Sequence, residues 1–342
     1  MLVHPTVDPE RTKDHRWIVA AGIEPDMPLA LTNALIQHEP DLERSQTNLS
    51  LNTILYATDF SAACENAWSY ALAIAKQYGS TLLMAHVISP TAFASVPGEL
   101  LPLAQRRTIT HAEHQLQQLR RLHGGTGQLD CHGVLSQGNV ADVLLGLARQ
   151  HEADVMVLGT RGHRHLDRLL LGSVAEKVFR QAVCPVLVVP ERAGSSDTIP
   201  VHRILHPTDF SGESLEAWRY ASSIARHFGA ELILLHVLPN GQIRSAEGLR
   251  RDRIAVNDRL HELIPNDLEE IGKVQIEVTS GEPARIISRT AAEFQADLLV
   301  LGVHRGSANS AHEEERTAYK VIRSSHCPVL TISNARSAEN AA

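Results

Sequence analysis

Short, nearly continuous apolar runs alternate along the chain with longer stretches whose apolar residues recur every three or four positions. Thr53–Ala57 reads as a buried strand, and Ser61 is placed to cap the helix after it. That helix sets Trp68, Ala71, Ile74, Ala75 and Tyr78 on one face and stops near Gly79. The pattern continues as strand Leu82–Ile88, a long polar helix through roughly His111–Leu122, strand Gln128–Leu135 and helix Val140–Arg149. Strand Val155–Leu158, helix Ser173–Gln181 and strand Val186–Val189 complete a five-stranded unit. Strands that are apolar on both faces and separated by helices predict a doubly wound α/β fold with a parallel sheet covered on both sides. Such sheets bind ligands beyond the carboxyl ends of their strands, where the strand order switches.

The whole pattern occurs twice. Ile54-Leu55-Tyr56-Ala57-Thr58-Asp59-Phe60-Ser61 returns 150 positions later as Ile204-Leu205-His206-Pro207-Thr208-Asp209-Phe210-Ser211, and His86-Val87 returns as His236-Val237. Further on the shift is 143: Gly138 matches Gly281, Leu158-Gly159 matches Leu301-Gly302, and Cys184-Pro185-Val186-Leu187 matches Cys327-Pro328-Val329-Leu330. One domain has been duplicated, and the second copy is shorter in its middle. The expected division is an N-terminal extension over 1–50, a first domain over 51–191, a linker over 192–201, a second domain over 202–334 and a tail over 335–342. The extension carries five prolines and has no counterpart in the second copy. Within it, Asp26 and Pro28 could open a short helix through Gln37 with Met27, Leu31 and Leu35 on one face.

Composition narrows the function classes. A chain of 342 residues exceeds one ordinary core, which agrees with two domains. Apolar residues make up 43% and charged residues 21%, and no apolar run approaches membrane-spanning length. The start of the chain lacks a secretory signal pattern, so a cytoplasmic location is the default expectation, with no membrane partner. A net charge of −7 gives no electrostatic footprint for nucleic acid. Cys64, Cys131, Cys184 and Cys327 form no C-x-x-C pair and are expected to be buried packing residues. Among the 19 histidines, His163 and His165 lack a third partner for zinc, and His86 and His236 at equivalent strand ends suggest a structural role. No metal site is expected.

The chemistry concentrates after the fourth strand. Gly159-Thr160-Arg161-Gly162 is followed by nine residues and then Gly172-Ser173-Val174. Glycines there let the backbone approach an anion closely, and a helix opening at Gly172-Ser173 offers free N–H groups and a favourable dipole. Arg161, His163, Arg164 and Arg168 make the intervening loop basic. G-x-x-G, nine residues, then G-S resembles the ATP-binding pattern of universal stress proteins. Thr58-Asp59-Phe60-Ser61, His86-Val87 and Cys184-Pro185-Val186 also look like that family. The resemblance spans roughly residues 52–191 and 202–333.

The resemblance implies two tandem Rossmann-like domains of the adenine nucleotide alpha hydrolase type, paired within one chain through their last strands, Pro185–Val189 and Pro328–Ile332. It also implies a cytoplasmic stress-response regulator that binds ATP, with or without Mg2+, in its first domain and signals to a protein partner. A further homodimer is left open. By the same resemblance, Thr58 and Asp59 would meet the nucleoside and Val87 the adenine. Gly159, Thr160, Arg161, Gly162, His163 and Arg164 would line the ribose and phosphates, and Gly172, Ser173 and Val174 would hold the phosphate tail. The second copy departs from the pattern: Gly302-Val303-His304-Arg305-Gly306 is one residue longer between its glycines, and Glu315-Arg316 replaces Gly-Ser. Ordinary ATP binding is not expected there. No Walker loop, kinase catalytic loop or nucleophile elbow is present, and Asp167 in the glycine loop reads as a solvated charge. No catalytic residue is therefore assigned; a slow ATPase or nucleotidyl transferase and a ligand-free scaffold are the alternative readings.

Overall fold

The apolar strand segments assemble into one sheet. The structure, a computed structural model, describes residues 49–124, 129–160, 171–191, 201–238, 246–264, 273–303 and 309–333. The first copy contains β1 (Thr53–Ala57), α1 (Ala62–Tyr78), β2 (Thr81–Ile88), α2 (Leu101–Gly124), β3 (Cys131–Gln137), α3 (Val140–Gln150), β4 (Val155–Gly159), α4 (Ser173–Gln181) and β5 (Val186–Val189). The second contains β6 (Arg203–Pro207), α5 (Gly212–Phe228), β7 (Glu231–Leu238), α6 (Ala246–Leu263), β8 (Val274–Ser280), α7 (Pro283–Glu293), β9 (Leu298–Gly302), α8 (Asn309–Ser324) and β10 (Val329–Ile332). The ten strands run in the order β3-β2-β1-β4-β5-β10-β9-β6-β7-β8. Every pairing within a copy is parallel.

Alternation along each strand fills both faces. Ile54 and Tyr56 face a core built with α1, α2, α5 and α6, whereas Leu55 and Ala57 face one built with α3, α4, α7 and α8. The continuous apolar runs follow from this two-sided burial. The edge strand β3 is different. Its residues are mostly half-buried or exposed, so it carries no continuous apolar run and lies further along the chain than the Gln128–Leu135 expected from the pattern. The polar helix expected over His111–Leu122 starts earlier, at Leu101, with Pro102 in its first turn, where a missing N–H is tolerated. The expected helix in the N-terminal extension lies outside the described residues.

The two copies join through β5 and β10, which pair antiparallel with Leu187 opposite Leu330 and Val188 opposite Val329. Thr331 adds a bond from Oγ1 to the Val186 carbonyl at 3.2 Å. Two strand edges that would otherwise stand open close on each other. Leu187 and Leu330 are equivalent in the repeat and face each other, so a local twofold passes between them and carries residue i of this region onto i + 143. On the α1 and α5 side the seam holds a cavity of about 60 Å³ walled by Tyr70, Ile74, Tyr220, Ile224 and Phe228 among others.

One difference between the copies and one close approach have energetic consequences. Tyr56 donates from its hydroxyl to the Cys64 carbonyl at 2.8 Å and packs against Trp68. Its counterpart His206 is fully buried beside Trp218, with Nδ1 3.0 Å from the Val300 carbonyl. A carbonyl only accepts, so Nδ1 carries the proton. Burial pushes His206 down to about 4 from 6.5, and burial lowers His236 as well. The close approach is at Gly302, where a Cβ would lie 2.4 Å from the Glu213 carbonyl carbon and the Ser214 nitrogen at the start of α5.

These features give two expectations. Below pH 6.5 the denatured chain protonates at His206 while the folded chain does not until about pH 4, so its contribution is complete above 6.5 and is lost as pH falls through that window. Urea midpoints at pH 7 and pH 5 are expected to fall further for the native chain than for His206→Tyr, by about 2 kcal/mol when converted to free energy. Gly302→Ala forces backbone apart and is expected to destabilise by roughly 1–3 kcal/mol in the same assay; an unchanged midpoint would contradict the close approach.

Candidate functional site

Within the first copy the strand order switches between β1 and β4, which are neighbours yet lead to helices on opposite faces. The carboxyl ends of β1 and β4 therefore bound the crevice where this fold admits a ligand. Thr58 to Ser61 leave β1 at that edge, and Gly159 and Thr160 leave β4.

The β1 exit is a tight, strained turn. Phe60 has φ of 61°, a region costly for a bulky residue, and Phe210 repeats it at 64°. Several bonds hold it. Thr58 Oγ1 accepts the Phe60 N–H at 2.9 Å, and Asp59 Oδ1 accepts the Ser61 N–H at 3.0 Å. His86 Nδ1 donates to the Thr58 carbonyl at 2.8 Å while its ring stacks on Phe60, centroids 4.5 Å apart. His236 does the same for Thr208 and Phe210. These histidines brace the turn.

Cys64 was not singled out by its spacing, yet its thiol donates to Asp59 Oδ1 at 3.1 Å. Burial pushes Cys64 up to about 11, so it stays a protonated donor and helps orient the carboxylate. In the second copy Ser214 stands there and turns to Thr208 instead, 2.9 Å between hydroxyls. The repeat alignment contained this signal, a thiol against a hydroxyl at one matched position. Ser61 occupies the N-cap of α1 in extended conformation but makes no side-chain cap bond, which corrects the expectation. Its counterpart Ser211 does cap, to the Ser214 N–H at 3.2 Å.

The β4 exit and the start of α4 are clipped together: Thr160 donates its N–H to the Val189 carbonyl at 3.0 Å, and its own carbonyl accepts the Gly172 N–H at 2.9 Å. Two parts of the glycine motif thus meet, although its middle, Arg161, Gly162, His163 and Arg164, lies outside the described residues. The clip corrects one detail. The Gly172 N–H is already used, and the first N–H within the ladder of α4 is that of Glu176, so the donors outside that ladder start at Ser173. Gly172 occupies the N-cap in extended conformation with no side chain to cap, and Ser173 is exposed. Val87 is buried in the α3 and α4 core, and Val174 is half-buried beside it.

In the second copy the equivalent helix is longer. α8 begins at Asn309, so Glu315 and Arg316 lie inside it, and their N–H groups belong to the helix ladder. Glu315 instead reaches across the seam to an ion pair with Arg180 of α4. The first glycine survives in this copy because of packing on α5, so a glycine at this place is not by itself a sign of a ligand.

A family model, that of the universal stress protein family, matches residues 51–190 and 200–333. The chain belongs to the universal stress protein family. A universal stress protein of Mycolicibacterium smegmatis is 26% identical over 294 residues, 82% of this chain and 96% of that one. One from Methanocaldococcus jannaschii is 31% identical over 137 residues, 40% of this chain and 80% of its own. The crystal structure of a universal stress protein from Archaeoglobus fulgidus superposes with a TM-score of 0.61 at 20% identity, covering 83% of this chain and 99% of that one. That likeness shows the fold: tandem universal stress protein domains, each a parallel α/β unit. Among the described residues no cluster could hold a metal ion, and no helix is long and apolar enough to cross a membrane.

All four cysteines are buried thiols outside any disulfide, with burial raising Cys64, Cys131 and Cys327 to about 11. At pH 8 the native chain is expected to resist a chromogenic disulfide reagent for minutes and to release four equivalents once denatured. Fast native labelling would contradict this burial.

Proposed function

We propose that the first domain of this universal stress protein binds ATP and that nucleotide occupancy regulates its encounter with a protein partner. The observation that carries the reading is the clip between Thr160 and Gly172, which sets at the switch point of the sheet a helix start whose own N-cap residue, Gly172, has no side chain to cap it. A helix start lacking a side-chain cap suits phosphate, which accepts from several N–H groups at once and is favoured by the dipole. The absence of a Cβ at Gly172 keeps the approach open. Ser173 adds a hydroxyl donor and Val174 a further backbone donor. Asp59, oriented by Cys64 and the Ser61 N–H, is the group suited to ribose or adenine donors.

The second domain supports the same reading by contrast. It keeps the strained turn, Asp209 and His236, but its helix runs on through the place where a phosphate would bind. One nucleotide per chain is therefore expected, and the second domain serves as a structural partner. Binding rather than turnover is the reading that the motifs support, since the sequence carries no Walker loop, kinase catalytic loop or nucleophile elbow. Mg2+ would arrive with the triphosphate.

Titration calorimetry of the intact chain with ATP and ADP tests this. Close to one site per chain, lost in Gly172→Glu and weakened in Asp59→Ala, is the expected result. Failure of the intact chain to bind either nucleotide would sink the reading and leave a paired-domain scaffold.

A further inference from the structure

We propose that the cavity at the domain seam is a binding site for one small, uncharged, apolar molecule of about four or five heavy atoms, such as a short branched hydrocarbon. The site is separate from the nucleotide crevice and does not depend on it.

The cavity lies where the two copies meet. The antiparallel register of β5 and β10 sets Leu187 opposite Leu330, and both residues line it. The helices contribute matching walls: Tyr70 and Ile74 from α1, Tyr220 and Ile224 from α5, each pair 150 positions apart in the repeat. The walls thus come in equivalent pairs about the local twofold, and neither copy encloses the space alone. Each copy also adds the first residue of its fourth strand, Val155 or Leu298. These are the amino ends of β4 and β9, whereas the crevice opens at the carboxyl ends of β1 and β4.

The chemistry follows from what reaches the cavity surface. Every wall residue is aliphatic, aromatic or proline, and only carbon faces the space. A water held there would need roughly two to four polar partners, and the walls offer none. Protein interiors pack to near-crystalline density, and a void leaves its lining atoms without contacts on one side. An apolar guest restores those contacts, whereas a polar or charged one loses its hydration with no partner in return. Size sets the other limit. One water-sized group needs about 10–15 Å³, so a volume of about 60 Å³ takes about four or five such groups. An engineered apolar cavity of about 150 Å³ takes benzene, so this smaller one suits a smaller hydrocarbon.

Position gives such a guest a consequence. It touches both copies at once, so it binds only the paired arrangement and stabilises that arrangement by mass action. Dissolved apolar compounds would then be read out as a firmer seam.

The test uses the full chain with isoleucine, leucine and valine methyl groups labelled for NMR. Xenon, isobutene and acetone are the probes; the last two share a shape, with a carbonyl oxygen in acetone replacing a methylene. Xenon and isobutene are expected to shift the Ile74, Ile224, Leu187 and Leu330 methyl signals saturably, at one site per chain. Acetone, whose carbonyl finds no donor there, is expected to bind at least about tenfold more weakly than isobutene. Isobutene should also raise the urea midpoint of the native chain. Ile74→Phe and Ile224→Phe, which fill the space from opposite sides, should each abolish that rise and the saturable shifts. Should either variant fail to fold, the native chain alone decides. Shifts that are absent, that grow without saturating, or that centre on methyls elsewhere would overturn the proposal. So would acetone binding as tightly as isobutene, because the walls would then not select an apolar guest. Folded variants that bind isobutene as the native chain does would place the guest outside the cavity and overturn it as well.

Discussion

The antiparallel pairing of β5 with β10 is the constraint from which the rest of the molecule takes its shape. Each copy ends its sheet on a short strand, Val186–Val189 or Val329–Ile332, apolar except for Thr331, and both strands are buried. Exposed, either would present unpaired backbone groups on an apolar edge. Joined, they turn two five-stranded sheets into one of ten strands and impose a twofold relation between the copies. That relation sets α4 against α8, and with it the ion pair of Arg180 with Glu315 and the contact of Tyr319 with Glu176. The seam is thus directly connected to the glycine-bearing helix.

Duplication released the second copy from one set of demands and held it to another. The left-handed phenylalanine turn, its threonine brace and the stacking histidine persist in both copies, so they belong to the way this sheet leaves its first strand. Gly302 persists because α5 approaches it too closely for any side chain. The helix start did not persist. Running α8 back to Asn309 consumed the free N–H groups in its own ladder, and Glu315 was then available to bind across the seam. The buried His206, standing where the first copy has Tyr56, is a further difference between the copies.

Much of this was legible without coordinates because it is written in local periodicity. Strands covered on both faces must be apolar throughout, which made β1, β4 and β5 plain. The edge strand β3 is poorly covered, so its pattern is ambiguous and the strand lies later in the chain than periodicity alone indicates. Helix α2 is polar over most of its length, and its early turns carried too little periodicity to be found. The glycine motif was visible from residue type and spacing alone. The hold of Cys64 on Asp59 was hidden, because a lone cysteine in an apolar helix face looks like packing until the turn folds over it.

The sequence by itself determined the duplication, the order of strands and helices, the family, and the asymmetry of the two glycine motifs. All of these follow from residue type at fixed spacing, a property of the chain's own geometry. Tertiary structure alone decided what surrounds each glycine, since α5 leaves no room for a side chain at Gly302 and the backbone of Gly172 is clipped to Thr160. It also decided that Glu315 serves the seam, and that Ser211 caps its helix while Ser61 does not. Those outcomes depend on the distance of approach between segments remote in the chain, and no local pattern encodes a distance that only packing sets.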